Sequence, residues 1–307
     1  MDYLEFQNEI LKIVRDIMEV NYEVNLHKVT KNNGVELVAI TIGERGYSGA
    51  IPTIYLDDFY DMYVAGVELT DIANNIIAIH FKYEKKVNLT MDDISDYDQV
   101  KDKVMLKLVN IERNKEMLSK LPYRKFHDLA IVAYVLWNDE KIGYMTSNVT
   151  NDCIEMWKVD FNTVFFDGYK NMIEVLDVEI CDIKDMAIRI YEEMIENGRI
   201  SREEAEQIIE ETADAEYPMY VITNSKKTLG AAVILYEPVL KYFYEKFQGE
   251  YYVLPSSIHE VIVVPKTDIS IEEMKSMVKE INENEVDYLE VLSDNVYCYN
   301  GKKLAIA

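Results

Sequence analysis

The chain has 307 residues, 49% of them hydrophobic, and 56 Asp and Glu against 32 Lys and Arg give a formal net charge of −24. That length suffices for more than one ordinary domain, and the apolar fraction, with 23 Tyr and 9 Phe, excludes intrinsic disorder. The acidic excess disfavours phosphate backbones and anionic membrane faces, so neither nucleic acid nor a membrane is expected as a partner.

Residues 3–19 place Ile10, Ile13, Val14 and Ile17 three and four apart, the spacing of one apolar helix face. No basic opening precedes an apolar core there, so no signal peptide is expected. An imperfectly alternating stretch over 24–30 and a β-branched run over 35–42 flank Asn32-Asn33-Gly34, whose residues tolerate positive φ, and a hairpin is predicted. After Pro52, Tyr55, Phe59, Tyr60 and Tyr63 recur at helical intervals, and Ala65-Gly66 closes that helix. A further helix runs from about Thr70 to Lys85, followed by an acidic link over 89–97.

A strand is predicted at 104–109, a short helix at 114–118, and a buried strand over the apolar run 126–136. The nine apolar residues 129–137 are about half what a membrane-spanning helix needs. A turn at Asn138-Asp139 and Gly143 leads to a short strand near 144–146. Residues 150–176 read as helix in pieces, with Thr150 as a cap. A stripe of Ile183, Ala187, Ile190, Met194 and Ile195 makes another helix, and Ser201 with Glu204 forms a capping box opening the next. These two helices around a glycine turn are too acidic to read DNA.

Strands are then predicted at 219–223, 231–235, 251–254, 260–264 and 295–299. A helix beginning near Pro238 carries Val239, Leu240, Phe243 and Phe247. A second, over 271–281, is opened by a Ser270–Glu273 capping box with Ile269 and Met274 as a hydrophobic staple. The fold class is α+β: mixed or largely antiparallel sheets with flanking helices in two lobes. The division expected is an α+β lobe over 1–149, an acidic helical connector over 150–216, and a second α+β lobe over 217–307.

Several blocks carry a resemblance. They are Thr30-Lys-Asn-Asn-Gly-Val35, Pro52-Thr-Ile-Tyr-Leu56 with Phe59-Tyr60, and Pro122-Tyr-Arg-Lys-Phe-His-Asp-Leu-Ala130. Further along come Tyr220-Val-Ile-Thr-Asn224 with Gly230-Ala-Ala-Val-Ile-Leu-Tyr236, Leu254-Pro-Ser-Ser-Ile-His-Glu-Val-Ile262, and Leu292-Ser-Asp-Asn-Val-Tyr297. In this order, over nearly the whole chain, they resemble a Firmicutes family catalogued as a domain of unknown function, DUF5688. The resemblance implies a bacterial cytoplasmic origin and one shared fold, and implies no catalytic role for any residue.

The densest polar cluster beside a strand is Ser256, Ser257, His259 and Glu260. If the strand begins by Ser257, that residue shares a face with His259, as a nucleophile and base would require. No Gly-x-Ser-x-Gly elbow surrounds the serine, and turn residues satisfying a strand entry are the simpler account. His127-Asp128 borders the most apolar strand, yet a zinc site there would need ligands from distant segments. The four histidines, His27, His80, His127 and His259, form no paired ligand motif, so no metal and no cofactor is expected. Asp57 and Asp61 are four apart on a predicted helix, as are many carboxylates in so acidic a chain. The glycine-bearing loops at 43–49 and 224–230 lack the phosphate-loop pattern and read as hairpin connections.

Cys153, Cys181 and Cys298 show no paired spacing and are expected as reduced thiols in a cytoplasmic protein. Tyr55, Tyr60, Tyr63, Tyr242, Tyr244, Tyr251 and Tyr252 supply amphipathic rings, either for the edge of a core or for an interface. The function expected is a non-enzymatic intracellular binding or structural module for a basic protein partner, with imitation of nucleic acid as one variant. The alternative is a hydrolase-like enzyme with its site near Ser257 and His259. No catalytic residue is assigned.

Overall fold

A computed structural model describes residues 1–18, 20–47, 51–84, 91–139, 143–197, 199–201 and 217–307. The N-terminal apolar stripe folds as α1 (Tyr3–Ile17), opened by an Asp2–Glu5 capping box and burying Phe6, Ile10 and Val14. The expected hairpin forms from β1 (Tyr22–Thr30) and β2 (Glu36–Glu44), with Thr30 opposite Glu36. Asn33 and Gly34 take φ of 58° and 73° in the connection, conformations an Asn-Gly pair adopts readily. A short strand, β3 (Thr53–Tyr55), completes this sheet, and α2 (Asp57–Val64) and α3 (Leu69–Glu84) follow. Tyr55 therefore belongs to a strand and not to the helix of Phe59, Tyr60 and Tyr63. Pro52 and the β-branched Thr53 and Ile54 suit an edge strand, while Asp57 and Asp58 favour a helix N-terminus. Phe6, Ile10, Ile40, Ile42, Leu56, Ile72 and Ile76 share one core.

The acidic link partly coils into α4 (Met91–Ser95) and α5 (Tyr97–Val100). Then come β4 (Val104–Asn110), α6 (Lys115–Leu118), β5 (Tyr123–Phe126), β6 (Leu129–Asp139), β7 (Gly143–Asn148), α7 (Asn151–Trp157) and α8 (Phe161–Val175). The run 126–136 is not one strand. Phe126 pairs with Leu129 across a two-residue turn, and His127 there has φ of 58°, which His tolerates better than most residues. Thr150 caps α7 as expected, its side chain accepting from the Cys153 amide. Tyr97 donates to Asp167 at 2.6 Å and Trp157 to the Ile94 carbonyl at 2.7 Å, tying α4, α5, α7 and α8 together.

Beyond α8 lie β8 (Val178–Asp182), α9 (Ile183–Glu196), β9 (Tyr220–Asn224) and a 3₁₀ turn at Gly230–Leu235. These precede α10 (Glu237–Lys246), β10 (Tyr251–Leu254), β11 (Val261–Pro265), α11 (Ile271–Asn284), β12 (Tyr297–Tyr299) and β13 (Leu304–Ile306). Residues 231–235 are thus a 3₁₀ turn where a strand was expected. Two alanines favour extended structure weakly, and Gly230 packs against the His259 carbonyl and the Asn224 amide, which folds the chain tightly there. Six strands order as β13-β12-β10-β11-β9-β8. Tyr251 and Tyr252 point to opposite faces of this sheet. Tyr252 packs under Met274 and Val278 of α11, whereas Tyr251 meets Phe243 of α10. Ser270 and Glu273 make the expected capping box on α11.

The chain forms two compact units. One comprises Met1–Val104, Lys115–Pro122 and Tyr134–Asp167; the other comprises Met105–Asn114, Tyr123–Ala133 and Gly168–Ala307. The sheets are largely antiparallel with helices on their faces, an α+β fold. The helix predicted to follow Ser201, over residues from 202 on, and the glycine at position 49 lie outside the described residues.

Candidate functional site

Ser257 and His259 come together through the His259 backbone and not through its ring. The Ser257 Oγ accepts from the His259 backbone N–H at 3.0 Å, a local turn at the entry to β11. The His259 Nδ1 accepts from the Leu229 N–H at 3.1 Å, which puts the neutral ring's proton on Nε2, and that nitrogen lies 3.4 Å from Glu290 Oε1. The His259 carbonyl accepts from Thr223 Oγ1 at 2.7 Å. The ring thus holds the 3₁₀ turn through Nδ1 and faces Glu290 through Nε2.

Asp128 does more than border a strand. From the turn before β6 its carboxylate accepts from Ser293 Oγ at 2.7 Å, from Asn295 Nδ2 at 3.0 Å, and from the Tyr297 hydroxyl. The Ser293 Oγ in turn accepts from the Asn295 N–H at 3.0 Å. Burial, then the hydrogen bond to Asp128 and that carboxylate's charge, pushes the Tyr297 pKa far above its usual value, so the phenol stays a donor. His127 Nε2 lies 3.0 Å from the Leu304 carbonyl and its ring meets Tyr297 edge-on. Arg113 adds an ion pair to Asp294 at 2.7 Å. The arrangement binds the β5–β6 turn to the approach of β12 and fixes the latter's register.

A different surface has the chemistry of recognition. On α11 the buried stripe is Met274, Val278 and Asn282, while Met277 and Ile281, four apart and beside that stripe, are 52% and 47% exposed. Glu273 and Glu280, four before and three after Met277, flank the pair on its outer side. Between 271 and 288 there are six carboxylates and two lysines. Lys275 donates to the Ala307 carbonyl at 2.8 Å, and Lys279 lies 3.7 Å from Glu283. Tyr288, in the turn that follows, is 55% exposed. An exposed apolar pair rimmed by carboxylates can take an apolar anchor flanked by cations. The sequence signal for it is two apolar residues that sit off the buried helical stripe.

A family model described as a family of unknown function (DUF5688) matches residues 3–301, nearly the whole chain. The chain belongs to the DUF5688 family. No curated protein and no solved structure matches it.

The remaining predicted residues of this DUF5688 protein are dispersed. Asp57 lies beside the Tyr3 hydroxyl, whose pKa is pushed up to about 12 by burial and then by that carboxylate, whereas Asp61 is exposed. Tyr251, Tyr252, Tyr297 and Tyr299 are buried; Tyr242 and Tyr288 are exposed. Tyr3, Phe6, Tyr60 and Tyr63 form one aromatic group, with the Tyr3 and Tyr60 ring centroids 4.9 Å apart. The three cysteines are free thiols. The 224–230 loop is organised by Asn224, whose Oδ1 accepts from the Lys226 N–H and whose Nδ2 donates to the Thr228 carbonyl, both at 2.9 Å. Among the described residues, no group of three or more His, Cys, Asp or Glu is placed to hold a metal ion. None of the described helices is long and apolar enough to cross a membrane.

Proposed function

We propose that this DUF5688 protein is a non-enzymatic cytoplasmic binding module whose protein partner presents a basic, amphipathic segment to α11. The observation that supports this most is the half-exposed Met277–Ile281 pair with Glu273 and Glu280 along its outer side. The net charge of −24 adds a long-range field that speeds encounter with a cationic segment and repels anionic competitors. Free thiols fit a reducing compartment.

Covering the exposed halves of Met277 and Ile281 contributes about 1 kcal/mol each. Their joint replacement by serine therefore weakens binding by roughly 25-fold. The experiment is a calorimetric titration of the full chain with a short amphipathic peptide of lysine and leucine. One-to-one binding is expected to weaken with salt and to drop by that factor in Met277→Ser/Ile281→Ser, a variant of unchanged charge. Equal binding by the variant contradicts the proposal, because attraction to the general negative surface alone would then account for the affinity.

A further inference from the structure

One cavity of about 230 Å³ opens beneath the 3₁₀ turn Gly230–Leu235, wholly within the second compact unit. Its apolar floor comes from Leu106 of β4, Met172 and Leu176 at the end of α8, and Leu229 and Val233 of the turn, and four of these are almost completely buried. Asp177 and Tyr236 also line it, the first exposed and the second half-buried. Tyr236 lies near Tyr169, whose pKa is raised by burial first and then by Tyr236 and Glu237. Asp177 is the one carboxylate among these lining residues.

The walls are held in place. His259 Nδ1 accepts from the Leu229 N–H, and a side chain at Gly230 would overlap Thr223 and the His259 carbonyl, so the turn keeps its shape without an occupant. An aliphatic cavity of about 150 Å³ accommodates benzene, so this one has room for roughly nine non-hydrogen atoms. An apolar body of that size would bury well, and a cationic head would meet the carboxylate of Asp177, whereas an anionic head would be repelled.

We infer that this cavity is a binding site for a small primary amine with an apolar tail, lodged over Leu176 and Val233 with its ammonium at Asp177. The site is separate from the α11 surface and stands independently of the partner proposed there.

The test titrates the full chain, labelled at the methionine methyl groups, with 2-phenylethylamine, 2-phenylethanol and phenylacetate at one ionic strength. The amine is expected to bind one-to-one and to shift the Met172 methyl resonance, with about tenfold higher affinity than the alcohol. Phenylacetate is expected to leave Met172 unmoved. Asp177→Asn should reduce the amine to the alcohol's affinity, and Ala232→Leu, which adds bulk inside the cavity, should weaken both. Because Met172 reads occupancy in the unsubstituted protein, the saturation result stands whether or not either variant folds. Failure of the amine to saturate the Met172 shift, or an undiminished amine preference in Asp177→Asn, overturns the inference.

Discussion

Replacing Asp128 by alanine tests how the β5–β6 turn is fastened to the approach of β12. The substitution removes the common acceptor of Ser293 Oγ, Asn295 Nδ2 and the Tyr297 hydroxyl. Ser293 and Tyr297 are fully buried, so water does not replace the lost partner, and each stranded donor costs about 1–3 kcal/mol. Asn295 is half-buried and reaches water, which adds little. The expected loss for Asp128→Ala is thus about 2–6 kcal/mol. Tyr297→Phe removes one donor and leaves Asp128 two others, at a cost of about 1–2 kcal/mol. In the double variant Tyr297 has no stranded hydroxyl, so the two effects should fall short of additivity by about 1–2 kcal/mol. The assay is urea unfolding followed by circular dichroism, with hydrogen exchange of the β12 amides. Tryptophan fluorescence would report the other compact unit, where Trp137 and Trp157 both lie. A loss below about 0.5 kcal/mol for Asp128→Ala, or strict additivity with Tyr297→Phe, would refute the reasoning.

His259→Ala leaves the buried Leu229 amide without its acceptor and should cost about 1–2 kcal/mol by urea unfolding, whereas His259→Asn, which offers an amide oxygen nearby, should recover part of it. Gly230→Ala should destabilise by about 2–3 kcal/mol, since its Cβ would sit 2.5 Å from the His259 carbonyl oxygen and 2.8 Å from the Asn224 nitrogen, both backbone atoms; a neutral result would contradict that packing. The phenols of Tyr97, Tyr134, Tyr251 and Tyr297 all have folded pKa values raised above the ordinary 10, chiefly by burial, and that of Tyr3 is about 12. Their contribution to stability is complete below pH 10 and is lost as pH rises toward the folded values, because only the unfolded chain ionises freely there. A spectrophotometric titration should show these tyrosines ionising together with unfolding; smooth titration near pH 10 in the folded protein would contradict their burial.

Much of the fold was legible because local signals agreed with the tertiary result. The apolar spacing of α1, Asn33-Gly34 before a β-branched run, and Ser270 three before Glu273 each act within a few residues. Two elements were obscured by an apolar run. Nothing local divides Phe126 from Leu136 except His127 and Asp128, and the anchors that hold Asp128 lie 165 to 169 residues away. Likewise Ala231–Ala232 looks extended until Gly230 is seen pressed against another backbone. The short strands β8 and β13 were not anticipated, since each depends on its neighbour in the sheet more than on its own few residues. At the candidate sites, the proximity of Ser257 and His259 could be read from spacing, but the Leu229 amide bonded to the His259 ring, 30 residues away in the chain, could not. Met277 and Ile281 were recognisable as apolar and helical; which side of α11 faces water is decided by the sheet beneath it.

Hydrogen exchange on the full chain, with and without the lysine–leucine peptide, tests the proposed binding face most directly. Added protection confined to α11 and the turn carrying Tyr288, and absent in Met277→Ser/Ile281→Ser, is the predicted result. Protection spread over the acidic surface, or centred on another element, would contradict it.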